Sequence, residues 1–236
     1  MRTSSNDIYV NGEYFANNPD WDIADAQWKV AAICGLLKKN NIQIADVIEV
    51  GCGAGENLVE LARQYPGIKK LRGYDISPHA IALASTRSSE QVSYFNEDLA
   101  ANNTVSSDLL LAIDVVEHVD DFYGFLRKMR PKSKHFVMHI PLDLSCRTLL
   151  KPHVLLQQRQ SVGHIHYFSK EMVEWALADT GYTIVDWVYT QPVVDIEPAR
   201  TLKRWVKKIL RNTAFAINKD RAAKKWGGYS IMVLAK

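Results

Sequence analysis

The stretch Val47-Ile48-Glu49-Val50-Gly51-Cys52-Gly53-Ala54-Gly55-Glu56-Asn57-Leu58 decides the fold. Val47 to Val50 is the mostly apolar run of a buried strand, and it carries one acid, Glu49. Three glycines follow at every second position, and Leu58, Leu61 and Ala62 then recur at helical spacing. The segment reads as a strand, a tight glycine turn and the start of a helix. Glycine lets backbone amides approach a ligand where a Cβ would collide. Open α/β sheets bind ligands at the carboxyl ends of their strands, so the turn is a candidate nucleotide-type site.

Neighbouring residues narrow the ligand. A dinucleotide fingerprint needs a small residue three positions after its second glycine, to pack helix on sheet beside a pyrophosphate. Gly51 and Gly53 fit, but that third position is Glu56, whose carboxylate would repel a pyrophosphate. A phosphate-binding P-loop is excluded because no Gly-Lys-Ser/Thr follows. The acid at the strand end, Glu49, favours a positively charged ligand without phosphates. S-adenosylmethionine, with its sulfonium, amino group and single carboxylate, suits such a site.

An acid followed by Gly-x-Gly-x-Gly resembles the first motif of the class I S-adenosylmethionine-dependent methyltransferases. The resemblance assigns the turn (Glu49, Gly51, Cys52, Gly53, Gly55) to the cofactor. Further landmarks extend it. Leu71-Arg72-Gly73-Tyr74-Asp75 reads as a second strand, with Ser77-Pro78 opening a helix in cap-then-proline order. The family places the cofactor ribose on an acid here, which implies Asp75, with Ile76 beside it. Val92 to Phe95 is a short strand, and the following Asp98 and Leu99 fall where the family holds adenine. Asp108 to Ile113 is a continuous apolar run typical of a buried parallel strand. The Asp114-Val115-Val116-Glu117-His118-Val119 that ends it resembles the family segment along the methionine part of the cofactor, which implies Asp114, Val115 and His118.

The resemblance implies a doubly wound α/β fold whose seven-stranded sheet is mostly parallel, with an antiparallel last strand. Strands are expected near residues 47, 69, 92, 109, 135, 183 and 230. Residues 1–45 are expected as an N-terminal cap and helix, and 46–236 as the methyltransferase domain. Within it, 142–168 is expected as an insertion over the acceptor pocket and 198–226 as a basic helical segment. A helix over about 24–39 is expected to carry Trp28, Ala31, Ala32, Gly35 and Leu36 on one stripe.

Methyl transfer to a hydroxyl needs a proton removed, and the chain has seven histidines. Gly163-His164-Ile165-His166-Tyr167-Phe168-Ser169 resembles an element that borders the acceptor pocket in small-molecule and sugar-tailoring members of the family. His164 and His166 are therefore candidate catalytic residues, and His139, beside Pro141 and Asp143, is another. His164 holding its own loop through the backbone stays an open alternative. No metal is expected, because no nearby carboxylate completes a ligand set for the His164/His166 pair. The aromatic segment from Tyr14 to Trp28-Lys29 resembles the leader of one bacterial branch, where it caps the cofactor. This implies Trp28 at the site and Lys29 on the cofactor carboxylate. Aromatic packing of helix on sheet explains the same residues.

Composition sets outer bounds. The chain has 236 residues, enough for one α/β domain. No apolar run approaches the ~20 residues of a membrane span, and the start of the chain lacks the apolar core of a signal peptide. Cys34, Cys52 and Cys146 form neither a metal spacing nor a disulfide framework, which fits a reducing cytoplasmic setting. Residues 200–225 hold ten Lys or Arg and one acid, +9 in a chain of net +3, so the remainder is −6. A solvated helix, a surface for an anionic substrate and peripheral membrane attachment all remain open for this segment. Nucleic acid is disfavoured as partner by the acidic remainder. The expected reaction is O-methylation of a small molecule or glycan. The alternatives are N- or C-methylation of a natural product or RNA, and a non-catalytic cofactor-binding regulator.

Overall fold

The structure, a computed structural model, describes residues 7–12, 14, 16, 18, 21, 23–196 and 201–236. Of the aromatic leader, Phe15, Asn17, Pro19 and Asp20 lie outside the described residues, as does Arg200 of the basic segment.

Seven strands form one sheet: β1 Asp46–Val50, β2 Lys70–Asp75, β3 Val92–Asn96, β4 Ser107–Ile113, β5 Ser133–Pro141, β6 Ile184–Thr190 and β7 Ser230–Ala235. Their order is β3-β2-β1-β4-β5-β7-β6. Strands β1 to β5 pair in parallel, and β7 runs antiparallel to both β5 and β6. Every expected strand is present within one or two residues, and the antiparallel last strand is as the resemblance implied.

Alternation along β1 and β4 divides the core between two faces. Ile48, Val50, Leu110 and Ala112 pack with Phe136, Phe125 and Leu177 on one side. Val47, Leu109, Leu111 and Val137 pack on the other against α1 (Ala26–Lys39) and α2 (Glu56–Gln64). The helix α1 corrects the expected stripe. Its buried face is Ala26, Lys29, Val30, Ile33, Cys34, Leu36 and Leu37, so of the expected stripe Leu36 is buried, Trp28 and Ala32 are half-buried, and Ala31 and Gly35 are exposed. The bulkier aliphatics at i, i+3, i+7 bury more apolar area than the small residues of the expected stripe.

Helix α3 (Pro78–Ser85) starts as read, with Ser77 Oγ accepting from Ala80 N. Glu117 and His118 do not begin the next helix. They sit in a 3-10 turn, Val116–His118, before α4 (Phe122–Met129). The expected insertion contains a helical turn at Cys146–Leu149 and then α5 (His153–Ser161). Ser169 caps α6 (Lys170–Asp179), its Oγ accepting from Met172 N. The basic segment forms α7 (Leu202–Ile217) and α8 (Lys219–Trp226). No helix among the described residues is long and apolar enough to cross a membrane.

Candidate active site

The strand order reverses direction between β1 and β4, and the chain leaves their carboxyl ends to opposite sides. A cavity of about 370 Å³ lies there, within the roughly 300–1,000 Å³ of small-molecule sites. Its wall is the glycine turn. Gly51 and Gly55 have φ of +65° and +82°. A Cβ on Gly51 would stand 2.6 Å from Val115 Cγ2, and one on Gly55 2.5 Å from the Tyr94 ring. Both positions therefore need glycine for backbone conformation and for space. The turn is tied down from below: Cys52 N donates to Tyr74 O at 3.1 Å, and Tyr94 Oη donates to Gly55 O at 2.7 Å.

Asp75 ends β2 facing this turn. Its Oδ2 accepts from Gly53 N at 3.0 Å and its Oδ1 from Ser77 N at 2.8 Å. Burial pushes its carboxyl pKa up, against the pull of these amides. Asp75 and Ile76 both line the cavity. Glu56 lines it too, paired with Arg87 at 2.8 Å.

Glu49 differs from expectation. Alternation turns it to the α1/α2 face, where it is fully buried beneath the turn and does not line the cavity. It accepts from Asn57 Nδ2 at 2.8 Å, and burial raises its pKa to about 8. Its place is under the start of α2. Asp98 and Leu99 also stand away from the cavity lining. Asp98 Oδ1 accepts from Ala100 N at 2.8 Å, a local turn bond, and Leu99 is buried in the core.

The end of β4 carries a charged network. Asp114 holds φ +55°, which is uncommon outside glycine and belongs to sites where structure over-determines the backbone. Lys29 Nζ is 2.9 Å from its Oδ2, and His139 Nδ1 is 2.6 Å from its Oδ1. Burial pushes the Asp114 carboxyl up, but His139 and Lys29 beside it outweigh this and hold the pKa well below the usual range. His139 Nε2 meets Thr190 Oγ1 at 2.8 Å, so both its ring nitrogens are engaged. It orients Asp114 and is poorly placed to take a substrate proton. Lys29, expected on the cofactor carboxylate, pairs here with Asp114. Trp28 lines the cavity and donates to Asp195 Oδ2 at 3.2 Å.

The opposite wall comes from the 3-10 turn and the loop after α5. His164 Nδ1 lies 2.7 Å from Asp143 Oδ2, and Gln158 Nε2 donates to Asp143 Oδ1 at 2.6 Å. His118 Nδ1 lies 3.1 Å from the Gly163 carbonyl. Burial, reinforced by His164, lowers the His118 pKa to about 4, so its ring is neutral. Glu117 is fully buried and lines the cavity, and neither carboxylate oxygen has a hydrogen-bond partner among the described residues. Burial first, then Asp114, pushes its pKa well above the usual range.

His164 and His166 part company. His166 Nε2 meets the carbonyls of Val119 and Asp120, its ring packs on Phe122, and it does not line the cavity. The backbone-holding role considered for His164 thus belongs to His166. The reason for expecting no metal also fails. A carboxylate, Glu117, does stand near His164, but the second imidazole there is His118. Asp143 was missed as a site residue, because its partner lies 21 residues away and nothing local marks the pair.

The donor set suits a cationic cofactor. Among the described residues Lys29 is the one lysine or arginine in the cavity lining, and its ammonium faces Asp114, so the described lining offers no further cation for a pyrophosphate. A family model described as a methyltransferase domain matches residues 25–186. The chain belongs to that family. Its cofactor is S-adenosylmethionine. The ubiquinone biosynthesis O-methyltransferase of Xanthomonas oryzae is 33% identical over 106 residues, 39% of this chain and 42% of that one. Norajmaline N-methyltransferase of Rauvolfia serpentina is 32% identical over 91 residues, 36% of this chain and 30% of that one. The chain thus spans less than half the length of the curated relatives it matches. Magnesium protoporphyrin IX methyltransferase from Synechocystis, solved with S-adenosylhomocysteine, shares the fold. It superposes with TM-score 0.60 over 89% of this methyltransferase-family chain and 82% of its own, at 17% identity.

Proposed function

We propose that this chain transfers a methyl group from S-adenosylmethionine to a hydroxyl of a small-molecule or glycan acceptor. The observation that carries the reading is one cavity lined by the glycine turn, Asp75 and His164, with Asp143 holding the His164 ring from behind the lining. Bound S-adenosylmethionine supplies the methyl on a sulfonium leaving group, whose carbon–sulfur bond breaks, its electron pair going to sulfur, as the carbon–oxygen bond forms. The chain's own part is to hold the reactants in line, which is worth on the order of 7–11 kcal/mol, and to accept the hydroxyl proton. Gly51 to Gly55 and Asp75 position the cofactor, with Ile76, Val115 and Trp28 around it. His164 takes the proton, and Asp143 fixes its ring. The relatives include an N- and an O-methyltransferase; a histidine held by a carboxylate favours an acceptor that must lose a proton during transfer.

Titration calorimetry with S-adenosylmethionine tests the cofactor half. Wild type is expected to bind, and Asp75→Ala to weaken binding by about 10- to 100-fold, the loss of a hydrogen bond to a charged group of ~1.5–3 kcal/mol. Asp75→Asn separates charge from shape, since Asp75 also anchors Gly53 and Ser77. No binding by wild type, or unchanged affinity in both variants, sinks the assignment.

The basic segment bears on where the acceptor is met. Helix α7 packs inward through Arg211 and Phe215: Arg211 is buried, donating to the carbonyls of Gly227 at 2.6 Å and Trp226 at 3.0 Å, and Phe215 stacks on Tyr229. Its apolar stripe, Leu202, Trp205, Val206, Ile209, Leu210 and Ile217, faces outward and is exposed. An apolar face in water flanked by Lys and Arg matches a helix lying on an anionic lipid surface. The proposed contact brings the enzyme to a membrane-associated acceptor. Co-sedimentation with phosphatidylcholine vesicles, with and without phosphatidylglycerol, is expected to show binding to the anionic vesicles alone, reversed by salt. Trp205→Glu with Ile209→Glu is expected to abolish it. Wild type remaining in the supernatant with both lipids refutes the contact.

A further inference from the structure

We propose that Glu117, His118 and His164 form a binding site for a divalent cation of the zinc class. Their donor atoms lie within 4.8 Å of one another. An ion bonded at about 2.0–2.2 Å needs donors roughly 3–4 Å apart, so the widest pair closes by about 1–2 Å on loading.

Three features set this cluster apart from a chance meeting of polar groups. The first is tautomer. The Gly163 carbonyl can only accept, so His118 Nδ1 carries the proton and leaves its lone pair on Nε2. Asp143 does the same for His164. Metal-ligating histidines are held in this way, with the second nitrogen donating to a carbonyl or carboxylate. The second is Glu117. His118 Nε2 stands 3.8 Å from its Oε1, and neither oxygen is hydrogen-bonded to a described residue, though the side chain is fully buried against the cavity. A buried carboxylate without partners is rare in folded proteins and asks for one. The third is rigidity. Glu117 O accepts from both Ile165 N at 3.0 Å and His166 N at 3.1 Å, which fastens the β4 turn to the His164 loop. The two imidazoles meet edge-on with centroids 5.0 Å apart.

Two imidazoles and one carboxylate are the donors of a zinc-class ion, not of magnesium or calcium, which take oxygen. Three protein ligands leave a coordination position toward the cavity, as in metal sites that bind substrate. The site's role rests on the acceptor reading above. An ion there would lower the pKa of a bound acceptor hydroxyl so that its proton passes to water, and His164 would then serve as ligand in place of base. Binding itself does not depend on that reading.

The full chain, dialysed against EDTA, is titrated with Co2+ without S-adenosylmethionine and followed by visible absorption and calorimetry. One Co2+ per chain is expected. His118→Ala and His164→Ala are each expected to weaken binding at least tenfold, and Asp143→Asn, a positioning change, by about 10–100-fold. Glu117→Gln keeps the volume of the buried side chain and is expected to weaken it too. No saturable 1:1 binding by wild type overturns the proposal. So does wild-type affinity in folded His118→Ala and His164→Ala. S-adenosylmethionine titrated into the same EDTA-treated protein keeps the two readings apart: its failure removes the cofactor assignment and leaves the ion site standing.

Discussion

Replacing His164 with alanine is expected to lower kcat by about 10²- to 10⁴-fold, the usual contribution of a positioned general base. Affinity for S-adenosylmethionine is expected to stay close to wild type, because the glycine turn and Asp75 lie on the opposite wall of the cavity. The imidazole is well prepared for the role. Asp143 accepts from Nδ1 at 2.7 Å, Gln158 holds the other Asp143 oxygen at 2.6 Å, and the side chains of His164 and Asp143 are 12% and 8% exposed. Asp143 therefore fixes both ring orientation and tautomer, as the carboxylate of a catalytic triad does. Asp143→Asn is expected to lower kcat without a matching rise in KM, since an amide can stabilise the wrong tautomer. His166→Ala provides the comparison. Its ring serves the carbonyls of Val119 and Asp120, so its loss affects stability more than turnover. The measurement is methyl transfer from labelled S-adenosylmethionine to a panel of hydroxylated acceptors. Wild-type kcat in His164→Ala with any of them removes the residue from the mechanism. Partial recovery of turnover with added imidazole would confirm that a proton acceptor, not a packing group, was lost.

The sheet was legible in the sequence because its signals are local. Each parallel strand is a short apolar run ending in a turn, and Gly51 to Gly55 can form little else at that spacing. Asp75 was legible for a similar reason: it sits two residues before a Ser-Pro helix start, so its place at the strand end follows from neighbours in the chain. What escaped was set by geometry between distant segments. Glu49 and Asp114 are both acids at strand ends, yet alternation buries one beneath the turn and the other opens to the cavity. His164 and His166 share a sequence pattern and are separated only by which wall each meets. The pairing of Asp143 with His164, and the meeting of Glu117 with His118 and His164, join β4, β5 and the α5 loop. The stripe of α1 failed for a different reason. Small residues at helical spacing imitate a buried face, and the larger aliphatics beside them take the core.

Asp114→Asn is expected to destabilise the chain by about 2–3 kcal/mol, somewhat less than the 3–5 kcal/mol of breaking a fully buried ion pair. The discount reflects a carboxylate that is 30% exposed to the cavity, where water screens it. Asparagine isolates the charge. It tolerates the left-handed backbone as aspartate does, so φ +55° is retained, while Lys29, 10% exposed, loses its carboxylate. Asp114→Ala removes the charge and adds backbone strain, and is expected to cost more. For a chain of this size the loss corresponds to a fall in Tm of roughly 4–12 °C. Its pH dependence follows from the depressed Asp114 pKa, caused by His139 and Lys29 acting against burial. A carboxyl held below its unfolded value of about 3.9 contributes stability that is fully present above that pH. That stability is lost as pH falls through the folded value. The gap between wild type and Asp114→Asn is therefore expected to be constant from about pH 6 to 8 and to shrink below about pH 4. Urea unfolding at several pH values measures it directly. A gap that is absent at neutral pH, or as large in acid as at neutrality, would show that Lys29 and His139 do not stabilise this carboxylate.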